Sequence, residues 1–481
     1  MTKLRDATFL LVALLVSCTP STENATPSAA STNGPSVLLF LVDTLRADRV
    51  GTYGYDGPTT PTIDRLAREG IVFEDAYTPG PWTLPSVVSI MLSQPICRHG
   101  VEVDGFEVDA EATSLAQALH EVGYATASFI ANTYAGRFAG LERGFDTNGA
   151  LVDDAGSLIG SFLDEIGEDP FFIYVHDVHP HDPHLASPRA LEPFGTVSPE
   201  NLKRMKNRTS RYRQLTRSDF AAGKEPGTTD NTRDQRVALA RLRQIKDAYG
   251  TAYDARVRQA DEQIADAVDE LARHGRLDDT VVIVVSDHGE ELGEHGGWLH
   301  DQSVYEELVR TPLIVRLPDG SHAGTRIPSV VSLLDIAPTI ADLTNTPVPP
   351  SSFEGRSLLP LLEAQPEERS DPAVVSMRIN RKKYFRPWKT QRGDQNLVVR
   401  EGPWKAIWNV EPNTVELYDL SVDPAEKIDL QMAHPTIATR LADHARDYLR
   451  RCQARRGKPQ AHSAEISAES AERLRALGYI D

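Results

Sequence analysis

The sequence predicts an α/β fold, with a mostly parallel central sheet, helices on both faces and a smaller C-terminal α+β subdomain. Three observations carry this. Val37 to Val42 is a near-continuous apolar run, as expected of a strand buried on both faces. Further apolar runs alternate along the chain with segments of helical periodicity, the pattern left by parallel strands joined through crossover helices. From about residue 366 that alternation weakens into short strand-like segments of antiparallel character.

Element by element, Thr62 to Gly70 reads as a helix ended by its glycine. Leu115 to Val122 is a second helix, Ala125 to Ile130 a strand, Leu158 to Ile166 a helix and Phe171 to Val175 a strand. An amphipathic pattern from about Tyr253 to His274 predicts a long helix. Val281 to Val285 is β-branched throughout and reads as a strand, as does Leu313 to Arg316. Val374 to Met377, Asn396 to Val399, Trp404 to Trp408 and Glu416 to Asp419 are short antiparallel strands of the C-terminal part. Residues 186–245 break the rhythm. They are polar, with a basic run of Lys203, Arg204, Lys206, Arg208, Arg211, Arg213 and Arg217. We read them as a solvated helical insertion, against the sharper reading of a lid that attracts an anionic substrate. The main domain is thus 36–365, with the insertion inside it, and the C-terminal subdomain is 366–481.

The 481 residues suffice for one large α/β domain and a smaller one. A net charge of −18 argues against a nucleic-acid binder, which usually carries a basic excess. At the start, Lys3 and Arg5 precede an apolar run from Phe9 to Val16, too short to span a bilayer comfortably. The run ends in Leu15-Val16-Ser17-Cys18, which resembles the bacterial lipobox; an ordinary secretory signal is the alternative. On the lipobox reading, 1–18 is the signal and Cys18 carries the lipid that ties the protein to a membrane. Residues 19–35, rich in Ser, Thr, Pro, Ala and Asn, form a disordered tether. Thr19 after the cysteine resembles outer-membrane sorting in a bacterial envelope. Cys97 and Cys452 remain, and no pattern decides whether they pair.

In open α/β sheets, ligands bind beyond the carboxyl ends of the strands. Three strands here end in reactive residues. The first ends in Val42-Asp43-Thr44, the next runs into His176-Asp177-Val178-His179-Pro180-His181, and the third ends in Ser286-Asp287-His288-Gly289. If these strands are parallel, the three tips meet. Asp43, Asp287 and His288 together suit a divalent metal.

These motifs carry a family resemblance. Val42-Asp43-Thr44-Leu45-Arg46-Ala47-Asp48, Thr60-Pro61-Thr62-Ile63-Asp64 and Ser286-Asp287-His288-Gly289-Glu290 through Glu294-His295-Gly296 are similar to landmarks of the sulfatases, within the alkaline-phosphatase superfamily. Leu334 to Thr339, Glu416 to Leu420 and Leu474 to Ile480 resemble later landmarks. The resemblance implies a sulfatase-like fold and places Thr83 on the nucleophile position, in Thr83-Leu84-Pro85-Ser86-Val87. The best-known sulfatases carry Cys or Ser there, oxidised to formylglycine, followed by any residue and then Pro, Ser and Arg, the last of which is Val87 here. Threonine is no precursor of that aldehyde, so no formylglycine is expected. It resembles instead the phosphodiesterases and phosphoethanolamine transferases of the superfamily. Ser86 falls on the family's structural serine.

The resemblance further implies one divalent ion on Asp43, Thr83, Asp287 and His288. Thr44 stands where many sulfatases have a second Asp, and His288 where many have Asn. That shifts the expected ion from Ca²⁺ toward Mn²⁺ or Zn²⁺. His181 matches the catalytic histidine and His300 the basic residue after the second metal motif, both suited to proton transfer. His176, His179, His184, His295 and Asp301 lie nearby, with hydrogen bonding inside loops as their default role. Arg378, Arg381, Lys382 and Lys383 read as a solvated edge. The implied activity is metal-dependent hydrolysis of a sulfuric or phosphoric ester or a phosphonate monoester, with an anionic ester as the partner. The alternatives are a phospho-group transferase acting on envelope glycan or lipid, and a catalytically inactive binding lipoprotein. Labelling with a fatty-acid analogue should disappear in Cys18→Ala; persistent labelling contradicts the lipobox.

Overall fold

The computed structural model describes residues 34–102, 105–151, 154–182, 186–194, 233–295, 297–349, 352–363, 373–379 and 395–461, with Glu472 and Arg475. The expected signal and lipobox, the tether up to residue 33, the basic run from Lys203 to Arg217, His184, Arg381, Lys382, Lys383 and all of the Leu474 to Ile480 stretch except Arg475 lie outside them.

The strands in chain order are β1 (Ser36–Val42), β2 (Ile71–Tyr77), β3 (Phe106–Glu107), β4 (Ala125–Ile130), β5 (Thr147–Ala150), β6 (Phe171–Asp177), β7 (Thr280–Ser286), β8 (Glu291–Leu292), β9 (Trp298–Leu299), β10 (Arg310–Arg316), β11 (Thr325–Ser332), β12 (Ala373–Ile379), β13 (Gln395–Glu401), β14 (Trp404–Asn409), β15 (Thr414–Asp419) and β16 (Gln460–Ala461). Eight of them form the central sheet, in the order β11-β2-β10-β7-β1-β6-β4-β5. The pairs β7-β1, β1-β6, β6-β4, β4-β5 and β11-β2 are parallel; only β10 runs against its neighbours.

Every residue of β1, β6 and β7 is buried, which explains why their sequences are apolar without alternation. The alternation is instead between two covered faces. Val37, Leu39 and Leu41 pack with the helix Thr83–Leu92, while Leu38, Phe40 and Val42 pack with the helices Pro61–Glu69, Ala155–Ile166 and Arg233–Arg273. The long helix starts at Arg233, inside the last quarter of the segment 186–245 read as the polar insertion, rather than near Tyr253. Strands β2 and β11 had no clear signature. The sequence Ile71-Val72-Phe73 of β2 is followed by Glu74 and Asp75, and β11 carries Pro328 where its register shifts, at the sheet edge.

The register sets up the site. Val42 pairs with Asp177 on one side and with Ser286 on the other, so the carboxyl ends of β6, β1 and β7 are level. The Asp43 amide donates to the Asp177 carbonyl at 2.7 Å, carrying that alignment one residue past the strand.

The four C-terminal strands form the antiparallel sheet β12-β13-β14-β15. One face packs on the helix Pro435–Ala454, and the other on Tyr77, Val304, Tyr305 and Leu308 of the main domain. Lys405 lies fully buried in that second contact, 2.9 Å from Glu306 and 2.8 Å from Glu426. Burial alone would lower its pKa, but the two carboxylates outweigh this and hold it above the ordinary lysine value.

The cysteines that the sequence left open are joined: Cys97 and Cys452 form a disulfide between residues 355 apart, inside the apolar contact of the Pro435–Ala454 helix. Opening it by reductant, or by Cys452→Ser, should cost roughly 2–4 kcal/mol of stability, read as a lower melting temperature of the same size in both cases. A melting temperature indifferent to reductant would contradict the crosslink.

Candidate active site

The tip of β1 is bent so that Asp43 faces the sheet edge. Thr44 follows with a φ of 60°, in the left-handed region that a β-branched residue adopts only under constraint. Its hydroxyl donates to the Asp43 carbonyl at 2.7 Å. Three bonds hold the turn: Tyr253 Oη donates to the Thr44 carbonyl at 2.6 Å, the Arg46 amide donates to Tyr253 Oη at 3.0 Å, and the Leu45 amide donates to Ser286 Oγ at 2.9 Å. The long helix that supplies Tyr253 therefore helps to set the site.

On β7, the His288 amide donates to Asp287 Oδ1 at 2.9 Å. His288 Nδ1 lies 2.9 Å from the Gly289 carbonyl, which can only accept, so Nδ1 carries the proton and Nε2 presents a lone pair. That Nε2 is 3.4 Å from Asp43 Oδ1, 3.6 Å from Asp287 Oδ2 and 3.4 Å from Thr83 Oγ1.

Thr83 is the first residue of its helix, after Trp82 as N-cap, so its hydroxyl sits at a helix N-terminus where anionic groups are favoured. Thr83 Oγ1 lies 3.4 Å from Asp43 Oδ2. Ser86 is occupied elsewhere: its hydroxyl donates to the Asp287 carbonyl and shares a 2.8 Å bond with Thr78 Oγ1. This matches the structural role expected of it.

The structure thus brings together all four expected ligands, Asp43, Thr83, Asp287 and His288, each fully buried. It adds His176, which the sequence offered only as a nearby loop histidine, and Asn132, which the sequence did not single out. His176 Nε2 is 3.8 Å from Asp287 Oδ2 and 4.0 Å from Asp43 Oδ2, and one ligand atom of each of the three lies within 4.8 Å of the others. Asn132, two residues past β4, donates through Nδ2 to Asp43 Oδ2 at 3.2 Å and lies 3.5 Å from Thr83 Oγ1. The strand signal of β6 had been ended at Val175. It runs on to Asp177, which turns His176 from a loop residue into a strand-tip residue. Nothing in the sequence around Asn132 marks it.

His181 and His300 stand beside this cluster. Their rings are 5.0 Å apart, and the His300 ring is 4.7 Å from that of His288. His181 Nδ1 donates to the Asp182 carbonyl at 2.6 Å, and His300 Nδ1 is 3.5 Å from Glu290 Oε1. Two of the other nearby histidines take loop roles: His179 pairs with Asp177 and His295 with Glu307, each at 2.5 Å. Arg378 departs from the expected solvated edge. It is buried, donating to the Asp301 carbonyl at 2.9 Å and to Asn396 Oδ1 at 2.7 Å, because β12 packs under the loop that carries His300.

The cluster's electrostatics call for a cation. Burial, reinforced by Asp287, pushes Asp43 up to about 7, and burial raises Asp287 as well. Burial likewise lowers His176 and His288. Among the described residues Asp43 Oδ1, Asp287 Oδ2 and both ring nitrogens of His176 have no hydrogen-bond partner. Orphaned oxygens and nitrogens converging on one point fit a divalent ion.

Comparison with known proteins agrees. The model of the family "Sulfatase" matches residues 35–346, and that of "N-sulphoglucosamine sulphohydrolase, C-terminal" matches residues 293–451. The chain is 23% identical to the N-acetylglucosamine-6-O-sulfatase of Bacteroides thetaiotaomicron, covering 84% of this chain and 83% of that protein. It is 26% identical to the choline-sulfatase of Rhizobium meliloti, with 83% of each covered. Among solved structures, an enzyme in complex with its substrate D-glucosamine-2-N,6-O-disulfate superposes with a TM-score of 0.66 at 20% identity, covering 87% of this chain and 98% of the other. The phosphonate monoester hydrolase of Agrobacterium radiobacter superposes with a TM-score of 0.64 at 19% identity, covering 90% and 98%. With the family model spanning well over half of its residues, and a fold shared with the solved structures, the chain belongs to the sulfatase family of ester hydrolases.

Proposed function

We propose that the protein hydrolyses a sulfate or phosphate ester with Thr83 as nucleophile. The observation that carries this is the position of Thr83 Oγ1, at a helix N-terminus and within 3.4 Å of both Asp43 Oδ2 and His288 Nε2. Asp43, Thr83, Asp287 and His288 would hold one divalent ion, Mn²⁺ or Zn²⁺ before Ca²⁺. Such an ion supplies a lowered hydroxyl pKa and neutralises charge on the ester oxygens.

The chain's own residues account for the remaining steps. Thr83 Oγ, having released its proton to solvent, forms a bond to sulfur or phosphorus as the bond to the leaving oxygen breaks. His181 or His300, protonated, gives that oxygen its proton. The Asp182 carbonyl holds the His181 ring in place for this. Asn132 Nδ2, whose amide is oriented by the Tyr134 N–H donating to its Oδ1 at 3.1 Å, steadies the Asp43 carboxylate beside the nucleophile. Water then attacks the threonyl ester, giving a proton to the now neutral histidine, and the released Thr83 oxygen takes up a proton from solvent. The sulfated sugars named for two similar enzymes support sulfated saccharides as the first candidate substrates. A lipid anchor at Cys18 would hold the enzyme in a bacterial envelope, and the Cys97–Cys452 disulfide agrees with an oxidising compartment.

The test is turnover by the soluble form, residues 19–481, of matched aryl sulfate, phosphate monoester, phosphate diester and phosphonate substrates with Mn²⁺, Zn²⁺ or Ca²⁺. Thr83→Ala should lose at least about a thousand-fold on the preferred ester, and Mn²⁺ or Zn²⁺ should support more turnover than Ca²⁺. Undiminished turnover in Thr83→Ala would remove Thr83 from the mechanism.

A further inference from the structure

We propose that His176 is itself a ligand of the ion in this site, and that the second imidazole it brings selects Zn²⁺ or Mn²⁺ over Ca²⁺. This rests on the reading of Asp43, Thr83, Asp287 and His288 as ligands and adds a residue from a third strand.

His176 is the next-to-last residue of β6, a central strand, paired with Leu41 of β1 on one side and Ile130 of β4 on the other. Side chains alternate along a strand, so His176 shares a face with Tyr174, which packs with the Thr83–Leu92 helix. The imidazole is fully buried, and neither of its nitrogens has a hydrogen-bond partner among the described residues. Leaving a buried polar group unsatisfied costs on the order of 1–3 kcal/mol, and here two are left on one ring. Its ring neighbour, Tyr174, meets it edge-on at 6.4 Å and offers no such bond.

What His176 Nε2 does face is the pair of carboxylates, at 3.8 Å from Asp287 Oδ2 and 4.0 Å from Asp43 Oδ2. Asp287 Oδ2 is itself without a partner. These separations are too long for hydrogen bonds. They suit atoms that share an ion, since two ligands each ~2.0–2.2 Å from a metal stand roughly 3–4 Å apart.

Thr44 explains why an extra donor is needed. Its hydroxyl is turned back onto the Asp43 carbonyl, so it contributes no oxygen to the cluster. His176 fills that place from the neighbouring strand, and the donor set becomes two imidazole nitrogens with carboxylate and hydroxyl oxygens. Imidazole suits Zn²⁺ and its neighbours in the transition series, whereas Ca²⁺ takes oxygens almost exclusively.

The test is metal binding by the purified full chain, stripped of metal and titrated with Zn²⁺, Mn²⁺ and Ca²⁺, with pulsed electron paramagnetic resonance of the Mn²⁺-loaded protein to count coordinated imidazole nitrogens. The wild type should show two such nitrogens, and His176→Asn one. His176→Asn should weaken Zn²⁺ by more than about 100-fold, beyond the loss typical of an outer partner of a ligand, and Ca²⁺ much less. His176→Asp should raise the affinity for Ca²⁺ relative to Zn²⁺. A purely structural histidine would leave that ratio unchanged, so parallel losses for both ions overturn the proposal. So does a count of one nitrogen in the wild type, a result that needs no variant to fold. Two nitrogens without ester turnover would overturn the hydrolase reading and uphold this one; one nitrogen with turnover intact would do the reverse.

Discussion

Asp43 and Asp287 lie side by side at the tips of neighbouring strands, both out of reach of water, and most of the molecule can be understood as the apparatus that keeps them there. Two buried like charges repel and lose hydration, which is why Asp43 is pushed up to about 7 in the absence of an ion. The sheet cannot relieve this by moving the strands apart. Level registers of β1 with β6 and β7, and a buried apolar layer on each face, fix the three tips. The relief has to come from a positive charge between the carboxylates, and the residues around them are those that would hold it.

The same arrangement decides what the ion would act on. The Thr83–Leu92 helix aims its N-terminus at the cluster, so the hydroxyl nearest the carboxylates is the one best placed to carry negative charge. Ser86, one turn further on, is drawn back onto the Asp287 carbonyl and ties the helix to β7. The two hydroxyls of one short motif are thus divided by position alone: one faces the reacting edge and the other fastens the helix to it.

Much of this was legible in the sequence, for physical reasons. Strands buried on both faces leave unbroken apolar runs, so β1, β6 and β7 could be read, and reactive residues directly after such runs fall at a sheet edge. β2 and β11 escaped because Glu74, Asp75 and Pro328 interrupt their patterns. The family landmarks gave Asp43, Thr83, Asp287, His288, His181 and His300, and the structure assembles all six. His176 was read as a loop histidine because the end of β6 was set two residues early, and Asn132 was hidden because it owes its place to the fold and not to a motif. The Cys97–Cys452 pair depended on a packing of the C-terminal helix that no local pattern encodes. Arg378 looked solvated among basic neighbours, yet is buried under the His300 loop by the fold of β12.

A covalent bond between Thr83 and the substrate is the step on which the proposed chemistry depends. The most direct measurement is acid quenching of the full chain during turnover of an ester with a fast-leaving aryl group, followed by peptide mass spectrometry. A sulfuryl or phosphoryl group should appear on Thr83, forming and decaying at the rate of turnover. The same group on Ser86, or turnover with Thr83 never modified, would contradict it.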